Sequence, residues 1–228
     1  MTARLLRAEL MRLPADHVLL GFVAMAVVLA AALALGTSSD LTSGLAQVEM
    51  VAMLYGTLRF GTDNRNGVVA RSILLGRRGA VLVARGLVAA LGGAVIGVVG
   101  GVCTAVTTGL VSGRAPGADE LLPALPDAVL AAAVSAVLGL CFGVVVRNYF
   151  LAPVAAFLVH VGSAVLLESV PVLGQALPFG ATMSLVSPSA VPAGLLPHPL
   201  AAVVLLMWLA LAGGCTWQVL AVRDVGQA

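Results

Sequence analysis

Lysine is missing altogether: all twelve basic side chains among the 228 residues are arginine. A phosphate loop of the G-x-x-x-x-G-K-[ST] type needs that lysine, so the chain holds no standard Walker-type ATP site. Charge of either sign is scarce, at 10% of residues, and aromatics supply only 4%. With 61% apolar residues and a mean hydropathy of +1.10, too little polar surface remains to cover a water-soluble body. A soluble monomer of this composition would expose apolar patches far beyond what such proteins tolerate. The composition is that of a polytopic membrane protein.

Cysteine is the next shortage. Cys103, Cys141 and Cys215 are odd in number and lie inside apolar runs, and their spacing fits neither a zinc site nor a disulfide framework. They read as small buried hydrophobes. Catalytic patterns are missing too: there is no H-E-x-x-H, no G-x-S-x-G and no carboxylate cluster suited to a metal. An intramembrane enzyme is disfavoured on that ground. No metal, cofactor or nucleic acid is expected on this chain.

What is present is apolar length. Residues 1–16 are too charged to span, yet Ala3, Leu6, Leu10 and Leu13 share one stripe at helical period, with Arg4 and Arg7 opposite. Such a helix can lie in the interface with its guanidiniums among the headgroups. The rival reading is a signal-peptide n-region; no A-x-A-like cleavage site follows, so a retained segment is expected. Six apolar runs come next, at 18–36, 43–58, 81–111, 128–146, 150–167 and 200–222. They are to be set against the ~20 residues that cross a ~30 Å hydrocarbon core. The third exceeds what a crossing needs, and Gln47 and Glu49 interrupt the second. The expected fold is an all-α membrane protein, a single transmembrane domain over 1–228 with six spans and an N-terminal interfacial helix.

Arginine sets the orientation. With a cytoplasmic N-terminus, eleven of the twelve arginines fall on inside segments and only Arg114 lies outside. That is the bias the positive-inside rule describes, and it places both termini in the cytoplasm. Asp40, Asp119, Glu120 and Asp127 fall on the outside. The last outside connection, 169–199, is apolar but broken by Pro171, Pro178, Pro188, Pro192, Pro197 and Pro199. Prolines so dense forbid a continuous helix. Short broken helices that dip into the outer leaflet or line a cavity are expected there. Small residues at four-residue spacing, Gly93, Gly97 and Gly101 in the third run and Gly139 and Gly143 in the fourth, suit close helix packing.

One polar stretch stands out, FGTDNRNGVVARSILLGRRGAVLVAR at 60–85. It falls between the second and third spans, on the inside. Gly61, Gly67 and Gly76 punctuate it, and VVARSILL at 68–75 reads as a short amphipathic helix. Asp63 lies just upstream, where a carboxylate favours a helix N-terminus. Arg71, Arg77 and Arg78 would face the cytosol or a partner; the plainer reading is that they only fix topology.

The run Asp63-Asn64-Arg65-Asn66-Gly67-Val68, then Leu74-Leu75, Arg78 and Arg85, resembles the first cytoplasmic loop of ABC type-2 transporter permeases. The interfacial N-terminal helix, six spans, cytoplasmic termini and broken outer loop are also similar to that family. Asp63 stands where Glu is more usual, Val68 where Thr is, Gly76-Arg77 where a Pro-containing turn is, and Arg85 where Lys often sits. The resemblance implies that 60–80 is a coupling loop docking on a separate ATP-binding-cassette subunit. Asp63, Arg65, Gly67, Arg71, Leu74, Leu75, Arg77 and Arg78 would be the contact residues. It further implies a half-transporter in a bacterial cytoplasmic membrane. The path would be completed by a second copy or a related permease, and ATP and Mg would be held by the partner.

Among the acidic and histidine side chains, two fall inside the spans. Glu49 lies ~9 Å in from the start of the second run, by helical rise, and a lipid-facing carboxylate there would cost ~2.5–3.5 kcal/mol on insertion scales. Glu49 should therefore face the protein, a cavity or a seam. His160 falls near the middle of the fifth run. Both either line a substrate path or satisfy helix–helix hydrogen bonds. The alternative function, an ion-coupled secondary transporter or channel, would call for paired intramembrane charges and repeated halves, and neither is evident. A low-charge interior favours a hydrophobic or amphipathic cargo.

Overall fold

The computed structural model describes residues 2–36, 41–75, 78–113, 117–186 and 195–222, and every element among them is helical. The N-terminal helix α1 (Thr2–Arg12) leads through one 3-10 turn, Leu13–Ala15, into α2 (His17–Gly36). Then come α3 (Leu41–Arg65), the short α4 (Val68–Leu75), the long α5 (Arg78–Ser112) and α6 (Ala118–Val146). The last four are α7 (Leu151–Ser169), α8 (Pro171–Gln175), α9 (Pro178–Val186) and α10 (His198–Val222).

Local chemistry sets several of these ends. Asp16 caps α2, its Oδ1 accepting from the Val18 and Leu19 amides at 3.0 and 3.2 Å. Asn148 does the same for α7 with the Phe150 and Leu151 amides, both at 3.0 Å. Gly67 (φ 66°) supplies the left-handed turn that separates α3 from α4.

Helix α3 is the axis of the bundle. Val51, Ala52, Tyr55 and Thr57 are fully buried in it, and α6 and α5 cover it on two sides. Glycine permits the closeness. A Cβ on Gly56 would run into the Ala136 carbonyl of α6, and one on Gly139 into the Met53 carbonyl of α3. Gly93 and Gly97 of α5 abut Ala132 and Val129 of α6 in the same way. The four-residue glycine spacing is thus a packing device, as expected.

The ends of the long helices identify the bundle's direction. Asp16 at the start of α2 lies beside Arg59 near the end of α3, and Asp63 of α3 beside Arg85 in the first turns of α5. Arg65 lies over the Tyr149 ring, between α6 and α7, and Arg78 reaches the last carbonyls of α10. One end of the bundle therefore gathers the starts of α2, α5 and α7 and the ends of α3, α6 and α10, an alternating arrangement.

Four segments are long and apolar enough to cross a membrane: Arg78–Ser112, Leu121–Val146, Leu151–Ser169 and His198–Val222. A fifth arises if 6–15 and 17–33, which meet at a 53° bend, count as one. Gln47 and Glu49 hold α3 below the same measure.

Some expectations need correction. The helix expected at 43–58 continues to Arg65, so 60–65 of the expected coupling loop is helix rather than connection. The helix that covers the run expected at 128–146 begins at Ala118 and carries Pro123 and Pro126 inside it. Cys141 is buried, but Cys215 lies on an exposed face of α10 and Cys103 is half-buried. Of the expected stripe, Leu6 on α1 and Leu13 in the 3-10 turn are half-buried, while Leu10 is exposed and Glu9 turns inward. Asp40, Gly76, Arg77, Arg114, Pro188, Pro192 and Arg223 lie outside the described residues.

Candidate functional site

At the arginine-rich end, charges from four elements converge. Glu9 of α1 sits between two guanidiniums, with Arg59 Nη2 and Arg85 Nη2 each 3.7 Å from its carboxylate. Arg59 Nε lies 3.6 Å from Asp16 Oδ2, and its Nη1 donates to the Tyr55 hydroxyl at 2.6 Å. Arg85 Nη1 donates to Asp63 Oδ2 at 2.9 Å. Both guanidiniums are more than nine-tenths buried.

Buried charges persist only when paired, because each has lost its water. Here three carboxylates face two buried guanidiniums, and Arg12, within electrostatic reach of Asp63, brings the third positive charge. Asp63 lies beyond the apolar part of α3. Burial pushes its carboxyl above the usual carboxylate range, against the pull of Arg85 beside it. Arg85 Nε and Nη2 find no hydrogen-bond acceptor among the described residues.

This cluster takes in Asp63 from the expected contact residues and adds Glu9, Asp16, Tyr55 and Arg59, which sequence reasoning missed. Asp16 had a readable signal, a capping residue directly before an apolar run. The others had none, since nothing local marks which charges will meet.

The remaining contact residues are dispersed. Arg65 is exposed, its guanidinium 5.7 Å from the centre of the Tyr149 ring. Arg71 is exposed on α4 and donates to the Asn66 and Gly67 carbonyls at 2.8 and 3.3 Å. Arg78 donates to the Leu220 and Ala221 carbonyls at 2.5 and 3.0 Å, closing the C-terminal end of α10. Leu74 and Leu75 end α4; their side chains, like all of Arg77, lie outside the described residues. Between α3 and α5, α4 is an eight-residue helix tied to the bundle through Val69, which packs with Phe60 and Leu220.

Glu49 and His160, expected as isolated residues, meet the same short helix. Ser135 of α6 donates to Glu49 Oε1 at 3.0 Å, and Thr182 of α9 donates to Oε2 at 2.5 Å. His160 of α7 packs edge-on against Phe179 of α9, ring centres 4.6 Å apart. Trp208 of α10 anchors the turn before α9, its Nε1 donating to the Ala176 carbonyl at 2.8 Å. The broken segment is thus drawn into the bundle, with Ala181, Thr182 and Ser184 buried.

Among the described residues no group of His, Cys, Asp or Glu could hold a metal ion. No protein family matches the chain, and no curated protein matches it significantly. Fold and site together define an all-helical bundle whose apolar helices are compatible with a membrane-embedded protein.

Proposed function

We propose that the chain is the permease subunit of an ATP-binding-cassette exporter, embedded in a bacterial cytoplasmic membrane. In this reading α2, α3, α5, α6, α7 and α10 are six spans, α1 is interfacial and both termini are cytoplasmic. The weak hydropathy of α3 suits a span that faces protein on all sides, since its polar residues never meet lipid. A separate subunit binds ATP and Mg, in keeping with the absent lysine. A second copy or a related permease completes the path for a hydrophobic or amphipathic cargo.

One observation carries the reading: α4 hangs between two long helices at the arginine-rich end, with Arg71 exposed on it. A short helix so placed can take a push from a motor and pass it to α3 and α5 together. The test is co-purification with an ATP-binding-cassette subunit, followed by charge reversal at Arg71. Loss of capture or of ATPase coupling supports the proposal. Normal assembly and transport by Arg71→Glu would reduce the loop to a topology signal.

A further inference from the structure

Beside the charge cluster lies a cavity of about 360 Å³, lined by Glu9, Arg12, Asp16, His17, Arg59 and Asp63 among others. That is within the size range of ligand-binding pockets. A second cleft of about 240 Å³ adjoins it, sharing His17, Val18 and Thr62. The rest of its lining is mostly apolar: Gly21, Phe22, Met25, Leu58 and Tyr149. Gly21 leaves open space, with no atom within 4 Å of where a side chain would begin. A charged chamber therefore opens into an apolar trough between α2 and α3.

The charges within the chamber are ordered. Its inner wall holds Glu9, Asp16 and Asp63, paired with Arg59 and Arg85, and the third balancing positive charge comes from Arg12 at the rim. Its outer rim holds Arg12 and His17, both exposed and neither ion-paired nor hydrogen-bonded through its side chain among the described residues. The trough begins at His17 and Val18, at the bend between α1 and α2.

We infer that this paired chamber and trough bind an aminophospholipid, a single molecule with a primary-ammonium headgroup. The ammonium balances the inner carboxylates as the phosphate draws Arg12 to itself. The phosphate meets Arg12 at the rim, a charge-assisted contact. One acyl chain lies in the trough along Gly21, Phe22 and Met25. An anionic lipid without an amine would engage Arg12 and leave one inner carboxylate uncompensated. A free headgroup would lose the apolar half of the contact.

The inference needs the chain to lie in a bilayer but does not need the ATPase partnership. The experiment uses the full chain purified from membranes, stripped of lipid by extended detergent washing. It is then offered phosphatidylethanolamine or phosphatidylglycerol with matched acyl chains, with binding read by native mass spectrometry. Glycerophosphoethanolamine, the headgroup without chains, forms a third arm. Phosphatidylethanolamine is expected to bind at least tenfold better than either alternative.

Arg12→Glu and Gly21→Leu sit at an exposed and an open position, so both should fold. Each is expected to lower that binding about tenfold with the melting temperature unchanged. Equal binding of the two lipids, equal binding of the free headgroup, or full binding by both variants would overturn the site. Release of the chain into the soluble fraction without detergent would instead overturn the bilayer reading.

Discussion

Asp63 and Arg85, twenty-two residues apart, meet through a 2.9 Å hydrogen bond that joins the end of α3 to the start of α5 across the connection holding α4. Anything that moves α4 must work against this contact or carry both helices with it.

Removing one partner strands the other. Asp63→Ala leaves the Arg85 guanidinium, 5% exposed, without its one close acceptor. A loss of about 3 kcal/mol is expected, as for other broken buried pairs. Asp63→Leu combined with Arg85→Leu should recover much of it, because neither member of the pair is stranded and Glu9 keeps Arg59 as its partner. Thermal unfolding in detergent compares the two; a double variant no better than the single one would refute the pairing.

Glu49 separates a structural from a transport role. In Glu49→Gln the amide still accepts from Ser135 and can donate to Thr182, so stability should stay within about 1 kcal/mol. Glu49→Ala loses both bonds, each worth roughly 0.6–1.7 kcal/mol in a membrane protein, and should free α9 for limited proteolysis. Reconstituted transport then decides the rest. Loss of transport in the stable Gln variant assigns Glu49 to the path, and full transport assigns it to anchoring α9.

Glycine substitutions should divide by location. Gly56→Leu and Gly139→Leu place a side chain against the backbone of the facing helix, and overpacking of that kind costs typically 1–3 kcal/mol or more. Gly162 of α7 has nothing within 4 Å, so Gly162→Ala should be neutral or stabilising by up to about 1 kcal/mol. Melting temperatures of the three variants give the comparison; a tolerated Gly56→Leu would contradict the close α3–α6 approach.

The arginines of the 60–85 stretch should also split. Arg71→Glu is expected to leave the melting temperature unchanged while weakening capture of an ATPase subunit. Arg78→Ala removes two hydrogen bonds from the end of α10 and should cost about 1–3 kcal/mol. Hydrogen exchange at 216–222 would register that fraying. Equal behaviour of the two variants in both assays would erase the distinction.

Much of the architecture was legible beforehand. The eight residues VVARSILL form α4 with the expected bounds, and the proline-rich segment after α7 breaks into α8 and α9. The glycine spacings in α5 and α6 mark real close approaches. The destinations of the charges were not legible. Asp63 was read as a cap or a docking residue, yet it pairs with Arg85; Arg78 was read as facing a partner, yet it closes α10. Glu9 belonged to a helix whose leucine stripe drew all the attention.

The sequence by itself determined the class and the helices, because hydropathy, proline and glycine act over a few neighbouring residues and need no knowledge of the rest. Only the tertiary structure decided that Glu49 meets Thr182, 133 residues away, and that Glu9 lies between Arg59 and Arg85. Such pairings depend on which helix faces turn together, and the close packing at Gly56, Gly93, Gly97 and Gly139 sets those faces. A charge in an apolar chain must find a partner, but composition does not say which one.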